Sequence, residues 1–353
     1  MKYSIIVPVY NRPDEVDELL QSLTEQELKD FEVVIVEDGS QKPCKDVCDK
    51  FADILDLHYY VKENGGPGQA RNYGAERAHG EWLIILDSDV VLPKGYLKAV
   101  EDGLRGERRE ERGEFAAFGG PDASHPSFTP VQKAISYSMT SFFTTGGIRG
   151  GKKKLDKFYP RSFNMGIRRD VYQQLGGFSK MRFGEDIDFS YRIVEAGYNP
   201  QLIPDAWVWH KRRTDFRKFF RQVYNSGIAR INLEKRHPGT LKLVHLLPMV
   251  FTVGVIALIL IAAVARAMIH YDAPNWHTWY WICLLALSPI ILYSLIIFID
   301  SSIKNKSLKV GLLSVPAAFV QLMGYGFGFI ESWWKRCVMK KDEFQAFEKN
   351  FYK

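Results

Sequence analysis

The hydrophobic rhythm of the chain changes once, near residue 240. Before that point short apolar runs alternate with stretches of helical spacing. From about residue 246 to 330 apolar residues dominate. Residues 4–9 form a compact apolar run that predicts a strand, and Val16, Leu19, Leu20 and Leu23 place a helix over 14–26 behind Pro13. Strands are predicted at 32–36, 57–61, 82–86 and 115–118. A glycine-rich turn after the third leads into a helix over 68–78. Strands separated by helices predict a mostly parallel, doubly wound α/β sheet, whose ligands bind beyond the carboxyl ends of the strands. The polar clusters of this half all fall at such ends.

The second half reads differently. Residues 246–265, 279–299 and 310–330 are each long enough to cross about 30 Å of hydrocarbon. Just upstream, residues 215–232 carry Phe216, Phe219, Phe220, Val223, Tyr224, Ile228 and Ile231 on one helical stripe beside arginines and lysines. Such a helix suits the bilayer interface and equally suits packing on the preceding domain. Lys304, Lys306 and Lys309 make the second loop basic, which places it in the cytoplasm with the N-terminal domain. Three crossings would then put Lys335, Arg336, Lys340 and Lys341 outside, against the same tendency. Pro316, Gly324, Gly326 and Gly328 mark the third segment as a candidate for a broken or re-entrant helix, and the side of the tail stays open. The expected organisation is a catalytic domain over 1–235, a helical membrane domain over 236–335 and a basic tail over 336–353.

Composition adds limits. The 353 residues carry 47 Lys and Arg against 41 Asp and Glu, a net charge of +6. Arg212, Arg213, Arg217, Lys218, Arg221, Arg230, Lys235 and Arg236 crowd just before the first long apolar segment, so anionic lipid headgroups rather than nucleic acid are the expected partner. Four cysteines make no disulfide framework and read as reduced thiols, fitting a cytoplasmic catalytic part. The apolar run 4–7 is too short for a signal peptide, and Pro8 follows at once. Residues 105–114 and 146–154 read as charged, solvated loops.

The chemistry starts at Asp87-Ser88-Asp89, directly after the apolar run 82–86. Side chains two apart on an extended strand share a face, so both carboxylates can reach one target. A hard divalent cation carrying a phosphate-bearing ligand suits that arrangement. Around it stand Pro8-Val9-Tyr10-Asn11-Arg12, Glu37-Asp38-Gly39-Ser40, the stretch Asn64-Gly65-Gly66-Pro67-Gly68-Gln69-Ala70-Arg71-Asn72, Gly176-Gly177-Phe178 and Gly184-Glu185-Asp186. Each has an ordinary reading alone. Asp38 in Asp-Gly-Ser is common turn chemistry, Arg71 a surface arginine, Asp186 a helix cap and His210 beside tryptophans a structural ring.

Together, and in this order, these motifs resemble family 2 glycosyltransferases of the GT-A, Rossmann-like fold over residues 3–230. With the C-terminal apolar segments, the chain is similar to the membrane-attached succinoglycan-biosynthesis ExoA type. The resemblance implies an inverting hexosyltransferase that moves a sugar from a nucleotide-sugar, UDP-linked by expectation, to a lipid-linked saccharide at the cytoplasmic face of the inner membrane. It assigns Pro8, Tyr10, Arg12, Asp38, Arg71, Asp87 and Ser88 to the nucleotide-sugar. Asp89, Asp87 and His210 would hold Mn²⁺ or Mg²⁺, Asp186 would be the general base, and Glu185 would orient the acceptor. Processive synthases carry Q-x-x-R-W and apolar segments on both sides of the catalytic domain. Here residues 220–227 lack that motif and no apolar segment precedes residue 240, which favours addition of a single sugar. Transfer to polyprenyl phosphate or another lipid is the rival within enzymes. A silent membrane scaffold is the rival outside them, and the intact carboxylates argue against it.

Overall fold

The computed structural model describes residues 1–106, 114–125, 127–145, 158–181, 183–271 and 274–344. In chain order the elements are β1 (Tyr3–Val9), α1 (Pro13–Thr24), β2 (Phe31–Asp38), α2 (Lys45–Asp49), β3 (Leu57–Lys62), α3 (Pro67–Ala75), β4 (Trp82–Leu86), β5 (Val90–Val91) and α4 (Tyr96–Gly106). There follow β6 (Ala117–Gly119), β7 (Asp122–Ala123), α5 (Pro130–Thr140), α6 (Phe142–Thr145), β8 (Asn164–Arg168), α7 (Arg169–Gln174), α8 (Glu185–Glu195), β9 (Gln201–Leu202) and β10 (Val208–His210). The chain continues through α9 (Phe216–Arg236), α10 (Leu247–His270), α11 (Trp276–Asn305) and α12 (Leu308–Trp333). The loop expected at 146–154, most of that at 105–114 and the end of the tail lie outside the described residues.

These elements fall into two compact units. The first lies within residues 1–126 and 152–211, the second within 127–151 and 212–348.

In the first unit seven strands run in the order β3-β2-β1-β4-β8-β6-β9. The β1–β2, β2–β3, β1–β4 and β6–β9 pairs are parallel, and β8 lies antiparallel between β4 and β6. Alternate side chains feed two cores, so the strands are apolar on both faces. Ile5, Val7, Val33, Ile35 and Ile84 pack with Leu19, Leu20 and Leu23 of α1 and with Leu97 and Val100 of α4. Ile6, Val34, Leu83 and Ile85 pack with Ala70 of α3, Val171 of α7 and Phe189 of α8. The strand order reverses between β1 and β4, and a crevice opens at such a switch point. A small second sheet, β5-β10-β7, stands beyond the end of β4.

The second unit is helical. The stripe predicted over 215–232 is α9, and its apolar face packs within this unit: Phe219 and Val223 join Ile135 and Met139 of α5, with Val320 of α12 against them. This shared core places α9 with the helices of the second unit. The third apolar segment was a candidate for a broken or re-entrant helix, and the structure makes it one helix. α12 runs continuously past Pro316 and passes into a wide turn over Trp334–Val338. Its glycines serve close helix approach instead of interruption: a Cβ on Gly328 would lie 2.0 Å from the Tyr224 carbonyl oxygen, and one on Gly227 2.2 Å from that of Tyr325. Among the described residues, three helices are long and apolar enough to cross a membrane: Leu243–His270, Trp276–Asn305 and Leu308–Val338.

Candidate active site

The turn from β3 into α3 ties the site together, and nearly every residue of its motif has a task. Gly66 precedes the helix at φ +90°, a conformation that L side chains rarely adopt. The Gly65 and Gly66 N–H groups donate to Asp38 Oδ1 and Oδ2 at 2.9 and 2.8 Å, and Lys62 Nζ donates to Oδ1 at 2.8 Å. Asn64 Nδ2 donates to the Asp38 carbonyl at 2.7 Å. Asp38, expected at the nucleotide, thus fastens the turn, which is the alternative role its Asp-Gly-Ser context allowed. A carboxylate has about four acceptor sites, so room for one more donor remains on Oδ2.

One turn into α3, Asn72 Oδ1 accepts the Tyr172 hydroxyl at 2.6 Å and the Phe178 N–H at 2.8 Å, while its Nδ2 donates to the Phe178 carbonyl at 2.8 Å. This clamp sets the Gly176-Gly177-Phe178 loop against α3. Arg71 points the other way into the site. Its Nη2 donates to Asp87 Oδ1 at 2.8 Å and its Nη1 to Glu185 Oε1 at 2.9 Å, with the guanidinium carbon 5.1 Å from the centre of the Phe178 ring. Arg71 is only 3% exposed, yet burial does not discharge it, because the two carboxylates outweigh the desolvation penalty. The surface-arginine reading is excluded. One guanidinium joins the end of β4 to the start of α8.

At that start Glu185 and Asp186 are both buried and behave oppositely. Burial pushes the Glu185 carboxyl up to about 7, against the pull of Arg71 and with a further push from Asp186. Burial also opposes ionisation of Asp186, but the Arg161 guanidinium, with Nε 2.5 Å from Asp186 Oδ2, holds its carboxyl below the usual range. Arg161 escaped the sequence reading because no motif marks the segment before β8. Its place comes from tertiary contacts: Ser190 Oγ of α8 donates to the Pro160 carbonyl at 2.6 Å, and the Tyr159 and Tyr191 rings meet edge to face at 4.9 Å.

The opposite signs give a pH prediction. A folded-state value raised from about 4.5 to about 7 makes the Glu185 contribution to stability full below pH 4.5 and lost as pH rises through 7. The lowered value of Asp186 works in reverse, its contribution being lost as pH falls through the folded-state value. Glu185→Gln is therefore expected to flatten the decline in stability between pH 4.5 and 7 while sparing the acid limb. Thermal melts of both proteins across that range check it.

Beyond β4, Asp87, Ser88 and Asp89 are half-buried in the turn that leads to β5. β10 pairs antiparallel with β5, His210 opposite Val90, which swings the imidazole over the acidic turn. His210 Nε2 lies 3.2 Å from Asp89 Oδ1, and the Phe163 ring stacks on the imidazole at 4.9 Å. Asp87, Asp89 and His210 each offer a ligand atom within 4.8 Å of the others, the one such group of three among the described residues. Two carboxylate oxygens and an imidazole nitrogen suit Mn²⁺ or Mg²⁺. The other ring nitrogen, Nδ1, is buried with no hydrogen-bond partner among the described residues.

The remaining candidates sit at the end of β1. Pro8 is buried within the strand opposite Val36, and Tyr10 is half-buried in the turn. Arg12 Nη1 pairs with Glu15 Oε1 at 2.6 Å on a partly exposed side chain. Asn11, at φ +55°, laces the β1 and β2 ends: its N–H donates to Ser40 Oγ at 2.8 Å, and its Oδ1 accepts from the Gln41 and Lys42 N–H groups. The structure thus brings Arg71, Asp87, Asp89, Glu185, Asp186 and His210 into one linked network, while Arg12 forms a separate pair.

Residues 4–176 match the family described as Glycosyl transferase family 2. The poly(ribitol-phosphate) beta-N-acetylglucosaminyltransferase TarS of Staphylococcus aureus (strain Mu50) is 39% identical over 102 residues, which cover 28% of this chain and only 18% of TarS. Glycosyltransferase AglE of Haloferax volcanii is 26% identical over 240 residues, 65% of this chain and 73% of AglE. Among solved structures, the mannosyltransferase PcManGT from Pyrobaculum calidifontis, in complex with GDP-Man and Mn²⁺, aligns at 16% identity with a TM-score of 0.55, covering 95% of this chain and 88% of that one. That last likeness speaks for the fold. Taken with the mostly parallel sheet and the order of its motifs, residues 4–176, just under half of the chain, are similar to glycosyl transferase family 2, and the fold is the Rossmann-like GT-A fold.

Proposed function

We propose that the protein is an inverting glycosyltransferase that moves one sugar from a nucleotide-sugar, UDP-linked by expectation, to a lipid-linked saccharide at the cytoplasmic face of the inner membrane. The observation that carries this reading is the chain of contacts from Asp87 through Arg71 to Glu185 and Asp186, with Asp89 and His210 beside it. Arg71, held charged between Asp87 and Glu185, supplies fixed positive potential where the donor's diphosphate would lie. Pro8, Tyr10, Asp38 and Ser88 border the nucleotide side, and Asp38 has an acceptor site to offer. Asp186, kept ionised by Arg161, takes the proton of the acceptor hydroxyl as its oxygen attacks the anomeric carbon, and direct displacement inverts that centre. Glu185 holds Arg71 and orients the acceptor beside the base. Asp87, Asp89 and His210 would hold Mn²⁺ or Mg²⁺, and the bound cation would supply positive charge against the departing diphosphate.

The lipid-linked acceptor is supported by the apolar helices α10 to α12 and by the basic α9 before them. Release of nucleoside diphosphate, followed with a panel of nucleotide-sugars in membranes holding lipid-linked acceptors, tests the reaction. Activity is expected to vanish in a chelator and return on adding Mn²⁺ or Mg²⁺, and Asp89→Asn is expected to abolish it. Full turnover in chelator would remove the cation from the proposal. Acid stability of the labelled lipid product separates a glycosidic bond to a saccharide from a sugar phosphate on polyprenyl phosphate.

A further inference from the structure

Although α12 is long and apolar enough to span, we infer that only α10 and α11 cross the bilayer, while α12 lies along its surface beside α9, so that the C-terminal tail returns to the face that α10 enters from. This rests on the membrane reading proposed above. The first observation is what covers α12. Ala134 of α5 packs with Val310 and Ala317, and Tyr137 packs with Ala318 and Ile297. Further along, a Cβ on Gly324 would meet Val223 of α9 at 2.5 Å, and Ser332 Oγ donates to the Ile228 carbonyl at 3.2 Å. Past the helix end Arg236 pairs with Glu343 at 2.9 Å. Residue numbers rise together on α9 and on the α12 segment, so the two run parallel, side by side, from about Phe220 to Arg236.

The second observation is the charge on α9. It carries Arg217, Lys218, Arg221, Arg230, Glu234, Lys235 and Arg236. Each Arg or Lys placed at the centre of a spanning helix costs about 2.5–3.5 kcal/mol, so α9 cannot sit in hydrocarbon. A helix fastened along α9 by interdigitated glycines cannot sit there either. Polar contacts agree: Tyr224 donates to Glu331, which also pairs with Lys335.

The third observation is lipid-accessible surface. α10 exposes Val250, Val253, Ile256, Ile259, Leu260 and Val264 along its length, and α11 exposes Trp281, Leu284, Leu285, Ile291, Leu292 and Leu295. No residue of α12 from 321 to 330 is fully exposed. Within the most apolar stretch of each, 44% of the α12 segment is buried in the protein, against 17% for α10 and 11% for α11. The large apolar side chains exposed on α12 and just past it, Leu308 and Leu312 at one end and Trp333 and Trp334 at the other, suit an interfacial helix with aromatic anchors. With two crossings Lys304, Lys306 and Lys309 share one face with Lys335, Arg336, Lys340 and Lys341. The conflict with the positive-inside tendency disappears.

Cys337, exposed just past α12, is a natural probe. The full-length protein in sealed right-side-out and inverted vesicles is labelled with a membrane-impermeant maleimide. Asn275→Cys in the α10–α11 loop and Lys306→Cys in the α11–α12 loop, each with Cys337→Ser, mark the two faces. Cys337, and Lys341→Cys as a second tail probe, are expected to label from the face of Lys306→Cys. Labelling of either from the face of Asn275→Cys overturns the inference, and so does labelling from neither face. If Asn275→Cys and Lys306→Cys react from one and the same face, membrane crossing itself fails, which is a separate result.

Discussion

Asp186→Asn is expected to lower turnover about 10²- to 10⁴-fold, the usual weight of a positioned general base. Nucleotide-sugar binding should change only a few-fold, since the proposed role of the carboxylate is toward the acceptor, and its oxygens lie on Arg161 and the Ile187 N–H. The amide cannot take a proton, and its nitrogen repels Arg161 where the carboxylate attracted it. Some loss of stability is therefore expected beside the catalytic loss, and melting curves keep the two apart. Initial rates and donor affinity, measured with Glu185→Gln as comparison, decide the assignment. A variant that turns over normally would move the base elsewhere, and Glu185, with its carboxyl near 7, would be the next candidate.

The second large effect concerns Arg71. Arg71→Met removes the one guanidinium between Asp87 and Glu185 and leaves Glu185 buried without its cation. Breaking a buried pair from one side costs about 3–5 kcal/mol. Arg71→Lys should rescue little, because a single ammonium cannot present two diverging N–H edges to carboxylates on different elements. Adding Glu185→Gln to Arg71→Met should recover part of the loss at alkaline pH, where the stranded Glu185 carboxyl would otherwise ionise without a partner. Denaturant unfolding of the four proteins gives the coupling energy as a double-mutant cycle. Additive losses would mean that the contact contributes nothing specific to the fold.

The sheet was legible because its strands are short, apolar on both faces and punctuated by turn residues, and Asp87 and Asp89 could be placed by their distance from the end of β4. His210 was legible as a position but not as a geometry, since its approach depends on the pairing of β10 with β5, two strands too short to carry a pattern. Arg161 was not legible at all, because its position is set by α8 and not by its sequence neighbours. The helix over Pro130–Thr140 was missed although it announces itself. Thr129, Pro130 and Gln132 spell a capping box with proline in the first turn, and the structure forms it. The glycines of α12 misled for a physical reason. In isolation they weaken a helix, but against α9 they let two backbones meet, and composition does not distinguish these uses.

The order in which the second unit is made follows from this close approach. α5 and α9 share a small apolar core, and α12, which packs against both, is translated only after the α10–α11 hairpin. Closure of this unit is a late, long-range event, and such events are slow and exposed to misassembly. Arrival of α12 is then the step that completes this unit, which makes that helix the timing element of its assembly.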